Sequence, residues 1–212
     1  MNLEDIYIYR IIHIDNLDYI LKQNELIHYQ HSNADPNYIN IGQKELITKR
    51  KSHKVTTQVT NEAYCPSCEY IPFYFWYYSV MLYNIQNGYD TDKIKANEII
   101  YLVYQLKGII NDIDFLFTDG HGFKGMTKWY DDISQVNHID WNTIKSTNWA
   151  NTEDDSDRKR RKQAEFWIKE KVSLNKITGI AVFDTTTQKH VVELCQKNKK
   201  NINVKVHTHW YY

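Results

Sequence analysis

Short apolar runs rich in β-branched and aromatic residues recur along the chain and predict strands. Five of them cover residues 6–14, 71–78, 99–106, 115–118 and 177–183. A last run at 202–212 predicts a strand that closes the domain. Strands are therefore the main elements that the pattern predicts.

Helical periodicity is confined to a few segments. Residues 15–22 predict a short amphipathic helix with Asp15 as its N-cap, and Ser79 predicts the cap of a second helix. Residues 185–196 predict a third helix, whereas 25–70 reads as a long functional loop with one helical turn at most. The segment 159–169 could be helix or strand, because charged helix formers give way to Phe-Trp-Ile.

Helices do not follow strands regularly enough for a doubly wound parallel sheet. The better prediction is an α+β fold with two packed β-sheets and flanking helices. Nothing in the 212 residues marks a linker, so we expect one domain over residues 1–212.

Composition limits the binding partners and the cellular compartment that we expect for this chain. The 26 basic and 26 acidic residues cancel, so a polyanion would have to be met by a local basic patch. No signal peptide and no run long enough to cross a bilayer is present, which predicts a cytoplasmic protein without a membrane partner. Three cysteines fit a reducing compartment, and the lone Cys65-Pro-Ser-Cys68 predicts a turn and no metal site.

Glu165 is the residue that most needs an explanation. It follows the basic run 158–162 and lies among Ala164, Phe166 and Trp167. A carboxylate in such a setting loses solvation, which a structural ion pair with the basic run or a catalytic duty could offset. Spacing alone leaves both readings open and favours the ion pair.

Motifs for several common chemistries are absent, including the P-loop, the Rossmann glycine pattern, the zinc-protease helix and the serine-hydrolase elbow. What remains is a set of five residues, Arg10, Arg50, Tyr74, His121 and Glu165. Arginine can hold a diphosphate, aromatic rings can stack on nicotinamide, and a carboxylate can stabilise an oxocarbenium ion. This set therefore suits transfer from a cationic glycosyl donor.

Six sequence blocks occur in the order seen in one toxin family. They are Ile6 to Leu17, Ile71-Pro-Phe-Tyr-Phe with Ser79-Val-Met-Leu-Tyr, Phe117-Thr-Asp-Gly-His, Ile139-Asp-Trp, Arg161-Lys-Gln-Ala-Glu-Phe and the terminal Trp210-Tyr-Tyr. Across essentially the whole chain the sequence resembles the DarT family of DNA ADP-ribosyltransferase toxins. The resemblance implies an ADP-ribosyltransferase-like fold, NAD as ADP-ribose donor, no metal, and a macrodomain antitoxin as partner.

The resemblance also implies roles for individual residues. Glu165 falls on the family's catalytic carboxylate and Arg50 on its essential arginine. Guanidinium stays protonated, so we expect Arg50 to stabilise charge on the base or the diphosphate, with proton acceptance as a further hypothesis. Residues 27–46 would close over NAD, and 121–165 would present the base. The residues expected to bind NAD are Arg10, Ile11, Ile12, Tyr19, Ile27, Arg50 and Tyr74.

Single-stranded DNA is the acceptor that the resemblance implies, with thymine as the first choice of base and guanine as the second. Basic runs and intervening aromatic residues are compatible with phosphate tracking and base stacking. The residues expected to contact DNA are Lys49, Lys51, Met81, His121, Arg158 and Arg161.

One departure from the family pattern bears on target preference. Tyr77-Tyr78-Ser79-Val80-Met81-Leu82 stands where Pro-Arg-Ser-Pro-Met-Leu is common, so an arginine that could contact phosphate is missing. Two alternatives stay open from sequence, namely an ADP-ribosyltransferase that modifies RNA or protein, and a non-catalytic nucleic-acid binding module of the same fold.

Overall fold

The computed structural model describes residues 2–43, 54–57 and 63–212. Its strands, in chain order, are β1 (Tyr7–His13), β2 (Glu25–Ile27), β3 (Val55–Thr56), β4 (Ala63–Tyr64), β5 (Tyr70–Tyr74), β6 (Ile99–Gln105), β7 (Phe115–Thr118), β8 (Trp129–Tyr130), β9 (Glu165–Lys169), β10 (Lys171–Ser173), β11 (Gly179–Val182) and β12 (Val204–Val206). Its α-helices are α1 (Leu17–Gln23), α2 (Pro66–Glu69), α3 (Val80–Asn87), α4 (Leu106–Ile109), α5 (Trp141–Lys145), α6 (Arg158–Arg161) and α7 (Thr185–Lys197).

Eight of these strands form one mixed sheet in the order β12-β11-β6-β1-β5-β9-β7-β8. Neighbours within it are antiparallel, except that β11 and β12 run parallel. Strands β2 and β10 pair separately, as do β3 and β4. The chain therefore has the predicted α+β organisation.

The sheet is divided at its centre. Strand β1 pairs with β6 over seven residues, but with β5 through one register pair, Tyr9 opposite Tyr74. Strands β1 and β5 consequently diverge on either side of that pair. The two predicted sheets are thus two four-stranded halves that meet at a single junction.

The two faces of the sheet are covered differently. One face carries a continuous core that extends across both halves. Helix α7 packs against this core through Val191 and Cys195. The opposite face carries two separate clusters, one around Tyr101 and Trp210 on the β1 half and one around Trp167 on the β5 half. A gap between apolar clusters therefore opens on the face opposite α7.

Local signals explain most element boundaries. The Ser79 hydroxyl accepts a hydrogen bond from the Leu82 amide at 3.2 Å and starts α3, which ends at Gly88 with φ of 76°. The predicted cap at Asp15 is wrong, because the His13 side chain accepts from the Asp15 amide and a 3₁₀ turn precedes α1. The predicted closing strand is also too long, since β12 ends at Val206 and a 3₁₀ turn follows.

The ambiguous segment 159–169 contains both predicted elements. The basic residues form the single turn of α6, and β9 begins at Glu165. Upstream, Cys65 and Cys68 are joined by a disulfide around the first turn of α2. Within the described ranges, no helix has the length and apolar character needed to cross a membrane.

Lys162 links α6 to the segment that follows α5. Its side chain is 4% exposed, and its ammonium group donates to the carbonyls of Ile144 at 2.5 Å and Ser146 at 2.7 Å. Loss of solvation on burial lowers the pKa of Lys162 to about 8. This buried cation ties the chain just before β9 to residues 144–146.

The lowered pKa of Lys162 predicts a specific pH dependence of stability. Between about pH 8 and 10.5 the unfolded chain binds more protons than the folded one, so the free energy of unfolding rises with pH. Relative to Lys162→Met, the wild type should gain on the order of 3 kcal/mol across that window. Denaturant titrations of both proteins at pH 7, 8, 9 and 10 measure this difference. A difference that stays constant with pH would show that Lys162 titrates normally.

Candidate active site

Three side chains form a row across the central junction of the sheet. Tyr9 of β1 lies opposite Tyr74 of β5, and Tyr74 lies opposite Glu165 of β9. Directly paired residues of neighbouring strands point to the same face, with Cβ atoms about 5 Å apart. The register therefore places Glu165 beside the gap between the two halves.

Glu165 is buried and held through its backbone. It is 4% exposed, and its amide donates to the Thr118 hydroxyl at 2.9 Å. That hydroxyl donates in turn to the Gly120 carbonyl at 2.7 Å, so Thr118 connects β9 to the turn after β7. The Gly122 amide lies 3.4 Å from the Glu165 carboxylate as a donor. The turn 119–122 thus fixes the carboxylate that the sequence identified.

Gly122 is in close contact with this carboxylate. A Cβ atom at Gly122 would lie 2.9 Å from Cζ2 of Trp129 and 3.1 Å from Oε2 of Glu165. Trp129 is itself buried against Trp167, so it has little space to move. Only glycine fits at position 122 without displacing the carboxylate or the indole.

A cleft opens beside this row, and Tyr74 is one of the residues that line it. Strands β1, β2 and β5, helix α3, and the loop 28–43 form its walls. Five residues predicted to bind NAD or DNA line it, namely Arg10, Ile11, Ile27, Tyr74 and Met81. Trp167, two residues after Glu165 on the same face of β9, also lines the cleft.

Arg10 is the cationic side chain of the cleft wall. Its guanidinium donates to the Pro72 carbonyl at 3.0 Å and to the Tyr38 hydroxyl at 3.5 Å. Its Nε atom is buried, and no atom of the described residues accepts a hydrogen bond from it. A cation with an unused donor suits a ligand that brings an anionic or carbonyl oxygen.

The loop that borders the cleft is secured by α1 and the turn before it. The Asn16 side chain is 1% exposed, and its amide group donates to the Ile39 carbonyl and accepts from the Ile39 amide, both at 2.8 Å. The Tyr19 hydroxyl donates to the Asn33 carbonyl at 3.0 Å. Tyr19 therefore supports the loop from outside the cleft. No local sequence signal marks Asn16, because its partner is 23 residues away.

Three predicted residues near the turn and the basic run have structural partners. His121 donates its amide to the Arg160 carbonyl at 2.9 Å, and its Nδ1 accepts from the Phe123 amide at 3.2 Å. Arg158 pairs with Asp155 at 3.1 Å, and Arg161 pairs with Asp155 and Asp140. Aspartates thus offset much of the positive charge of α6, and the DNA contacts of Arg158 and Arg161 stay a prediction.

Not every predicted NAD residue reaches the cleft. Ile12 is fully buried in the core on the α7 side of the sheet. Arg50, Lys49 and Lys51 lie outside the described residues. The structure therefore brings together Arg10, Ile11, Ile27, Tyr74 and Met81 and leaves Ile12 in the core.

Comparison with known proteins identifies the family. The family model described as "ssDNA thymidine ADP-ribosyltransferase, DarT" matches residues 9–212. The chain belongs to the DarT family. The resemblance drawn from the six sequence blocks is confirmed.

Individual relatives match this chain in sequence or structure over almost their full length. A DNA ADP-ribosyl transferase of Escherichia coli O127:H6 is 31% identical over 217 residues, which span all of this chain and 96% of that protein. The DarT of Thermus sp. 2.9 in complex with ADP-ribosylated single-stranded DNA superposes with a TM-score of 0.85 at 27% identity, over 97% of this chain and 96% of the other. The same DarT in complex with NAD⁺ gives a TM-score of 0.79 at 26% identity, over 97% of both chains.

Membership in the DarT family settles the enzyme class and the fold. The chain is an NAD-dependent DNA ADP-ribosyltransferase with an ADP-ribosyltransferase-like fold. NAD is its ADP-ribose donor. The cleft with Arg10 and Tyr74 in its walls, together with Glu165 on the strand next to Tyr74, is accordingly the candidate active site of this DarT-family chain.

Asn16→Ala should weaken NAD binding, because it frees the loop at Ile39. Removing a buried amide that makes two hydrogen bonds costs about 1–3 kcal/mol. We expect a several-fold higher KM for NAD with a smaller change in kcat, measured by steady-state transfer kinetics. Tyr19→Phe, which removes the contact to Asn33, should have a weaker effect. A lower melting temperature with an unchanged KM would contradict a role in the cleft.

Gly122→Ala should lower kcat, because the added methyl displaces the Glu165 carboxylate or Trp129. A displacement of about 1 Å can cost on the order of 100-fold in rate, so we expect a loss of at least about tenfold. Gly125→Ala is the matched control, since a Cβ atom there meets nothing within 4 Å. Equal activity of the two variants would refute the proposed contact between residue 122 and the carboxylate.

Proposed function

We propose that this chain transfers ADP-ribose from NAD to thymine in single-stranded DNA, with Glu165 as its catalytic residue. The observation that carries the proposal is a buried carboxylate that lies directly opposite Tyr74, a residue of the cleft wall, on the neighbouring strand. The turn 119–122 holds this carboxylate in place before any substrate binds. Preorganised charge of this kind stabilises a transition state efficiently.

The proposed reaction breaks the bond between nicotinamide and its ribose. Nicotinamide leaves with the bonding electron pair as a neutral molecule, and positive charge develops on the ribose. The Glu165 carboxylate stabilises that charge and accepts a hydrogen bond from a ribose hydroxyl. A nitrogen of the base then forms the new bond to the ribose carbon and loses its proton.

Donor binding is assigned to the cleft wall. Arg10 offers a cationic donor, while Ile11, Ile27 and Tyr74 supply apolar and aromatic surface for the nicotinamide end. Tyr19 supports the loop that borders the cleft through its hydrogen bond to Asn33, and Ile12 anchors β1 in the core on the α7 side. We assign Arg50 to charge stabilisation during transfer, since a guanidinium keeps its proton.

Acceptor binding is assigned to residues on both sides of Glu165. Met81 lines the cleft from α3, and His121 lies in the turn that contacts the carboxylate. Arg158, Arg161, Lys49 and Lys51 would add positive charge along the path of the strand. A base paired in a duplex would first have to leave its stack, which favours single-stranded DNA.

The biological role follows from the chemistry. Modification of bases in exposed single strands would block their copying, as expected of a toxin. We propose that a macrodomain antitoxin removes the mark. We also propose that the chain works as one domain over residues 1–212 in the cytoplasm, where NAD and DNA occur together.

Glu165→Gln should abolish the transfer. The amide keeps the size of the side chain but removes the negative charge, so we expect at least about 100-fold less label on DNA. Labelled NAD and a thymine-containing single-stranded oligonucleotide provide the assay, with nucleoside mass spectrometry to identify the base. Glu193→Gln, on the exposed side of α7, is the matched control. Transfer at the wild-type rate by Glu165→Gln, or label on RNA or protein but not DNA, would overturn the proposal.

A further inference from the structure

A second cavity opens on the face of the sheet opposite α7. It lies beside strands β1, β6, β11 and β12. We name it the Trp210 groove after the residue at its edge, and its defining residues are Tyr7, Tyr9, Val103, Lys205, His207 and Trp210. The donor cleft shares none of these residues, so the groove is a separate site.

The groove lies on the same face as the catalytic carboxylate. Register pairs connect Gly179 to Val103, Val103 to Tyr9, Tyr9 to Tyr74, and Tyr74 to Glu165. With neighbouring strands about 4.8 Å apart, Tyr9 is two strands or about 10 Å from Glu165, and Gly179 is about 19 Å away. A strand of nucleic acid with one base at Glu165 can therefore reach the groove within a few nucleotides.

A stack of aromatic rings runs from Trp76, which packs against the core on the α7 side, to His207 in the groove. Trp76 stacks on Tyr77 at 4.7 Å, Tyr77 on Trp210 at 4.5 Å, and Trp210 on His207 at 4.1 Å between ring centroids. The two end rings, Trp76 and His207, are partly exposed. Lys145 lies over the Trp76 ring at 5.8 Å. Such a stack offers end faces on which planar bases can continue the series.

The charge of the groove favours an anion. Lys205 is exposed, and the rings of His207 and His209 lie 5.7 Å apart. Burial lowers the pKa of His207, and the nearby His209 and Lys205 lower it further. All eleven residues that line the groove belong to the described part of the chain, and none of them carries a carboxylate. Lys205 is thus the one lysine or arginine among the residues that line the groove.

We propose that the Trp210 groove binds a second nucleotide of the same DNA strand, a few positions from the thymine that reacts. The base stacks on the exposed rings, and the adjoining phosphate lies near Lys205. The floor of Val103, Gly179 and Ala181 is small or apolar, which leaves space for a flat ring. This inference rests on the proposed function, because it needs DNA to be the acceptor.

The test compares a long and a short acceptor. Lys205→Glu and His207→Ala, alone and combined, are assayed with a 12-nucleotide and a 4-nucleotide single strand that each contain one thymine. We expect the KM of the combined variant for the long strand to rise at least about fivefold, the equivalent of about 1 kcal/mol of stacking. The KM for the short strand and for NAD should stay at the wild-type value. Lys189→Glu on α7, on the other side of the sheet, is the charge-matched control.

A photoreactive base identifies the contact directly. Placed two to four positions from the thymine, it should crosslink to the peptide that contains Trp210 in the wild type, and less in the combined variant. The inference is overturned if the combined variant keeps the wild-type KM for the long strand, or if its KM rises equally for both strands. It is also overturned if the crosslink maps to another surface. Failure of the wild type to modify any DNA would instead refute the proposed function.

Discussion

The single register pair between Tyr9 and Tyr74 is the constraint on which the site depends. Because β1 and β5 share only this pair, the two halves of the sheet separate around it while the core on the α7 side stays continuous. The separation opens the donor cleft on the other face without leaving the domain in two pieces. It also places Glu165 one strand from the junction, opposite Tyr74 of the cleft wall.

Much of the positive charge next to the site is compensated by nearby acidic side chains or by backbone carbonyls. The arginines of α6 form ion pairs with Asp155, Asp157 and Asp119. Much of the positive charge of the helix that precedes β9 is therefore compensated. Lys162 keeps its charge buried against two carbonyls, which joins the same helix to the segment after α5. These contacts fix the start of β9, and the turn 119–122 then fixes the carboxylate itself. The rigidity of the site therefore comes from residues that touch no substrate.

Much of the fold was predictable from sequence, because strands rich in Ile, Tyr and Phe have a strong local signal. The Ser79 cap and the strands at 99–106 and 115–118 are examples. Glu165 stood out as a lone acid among apolar residues, but spacing alone favoured an ion pair, and only the family resemblance implied its catalytic role. The sequence could not reveal that Asn16 secures Ile39 or that Asp119 and Asp140 pair with arginines of α6, because those partners are distant along the chain. The predicted cap at Asp15 was wrong for a local reason, since the side chain of His13 accepts the hydrogen bond from the Asp15 amide.

The central claim is that Glu165 borders the donor at the bond that breaks. A crystal structure of this chain with an unreactive NAD analogue measures it most directly. The account predicts the nicotinamide riboside in the cleft beside Tyr74, with the Glu165 carboxylate within hydrogen-bonding distance of a ribose hydroxyl and Arg10 in contact with the analogue. An analogue bound in another cavity, or one whose ribose lies far from Glu165, would contradict the account.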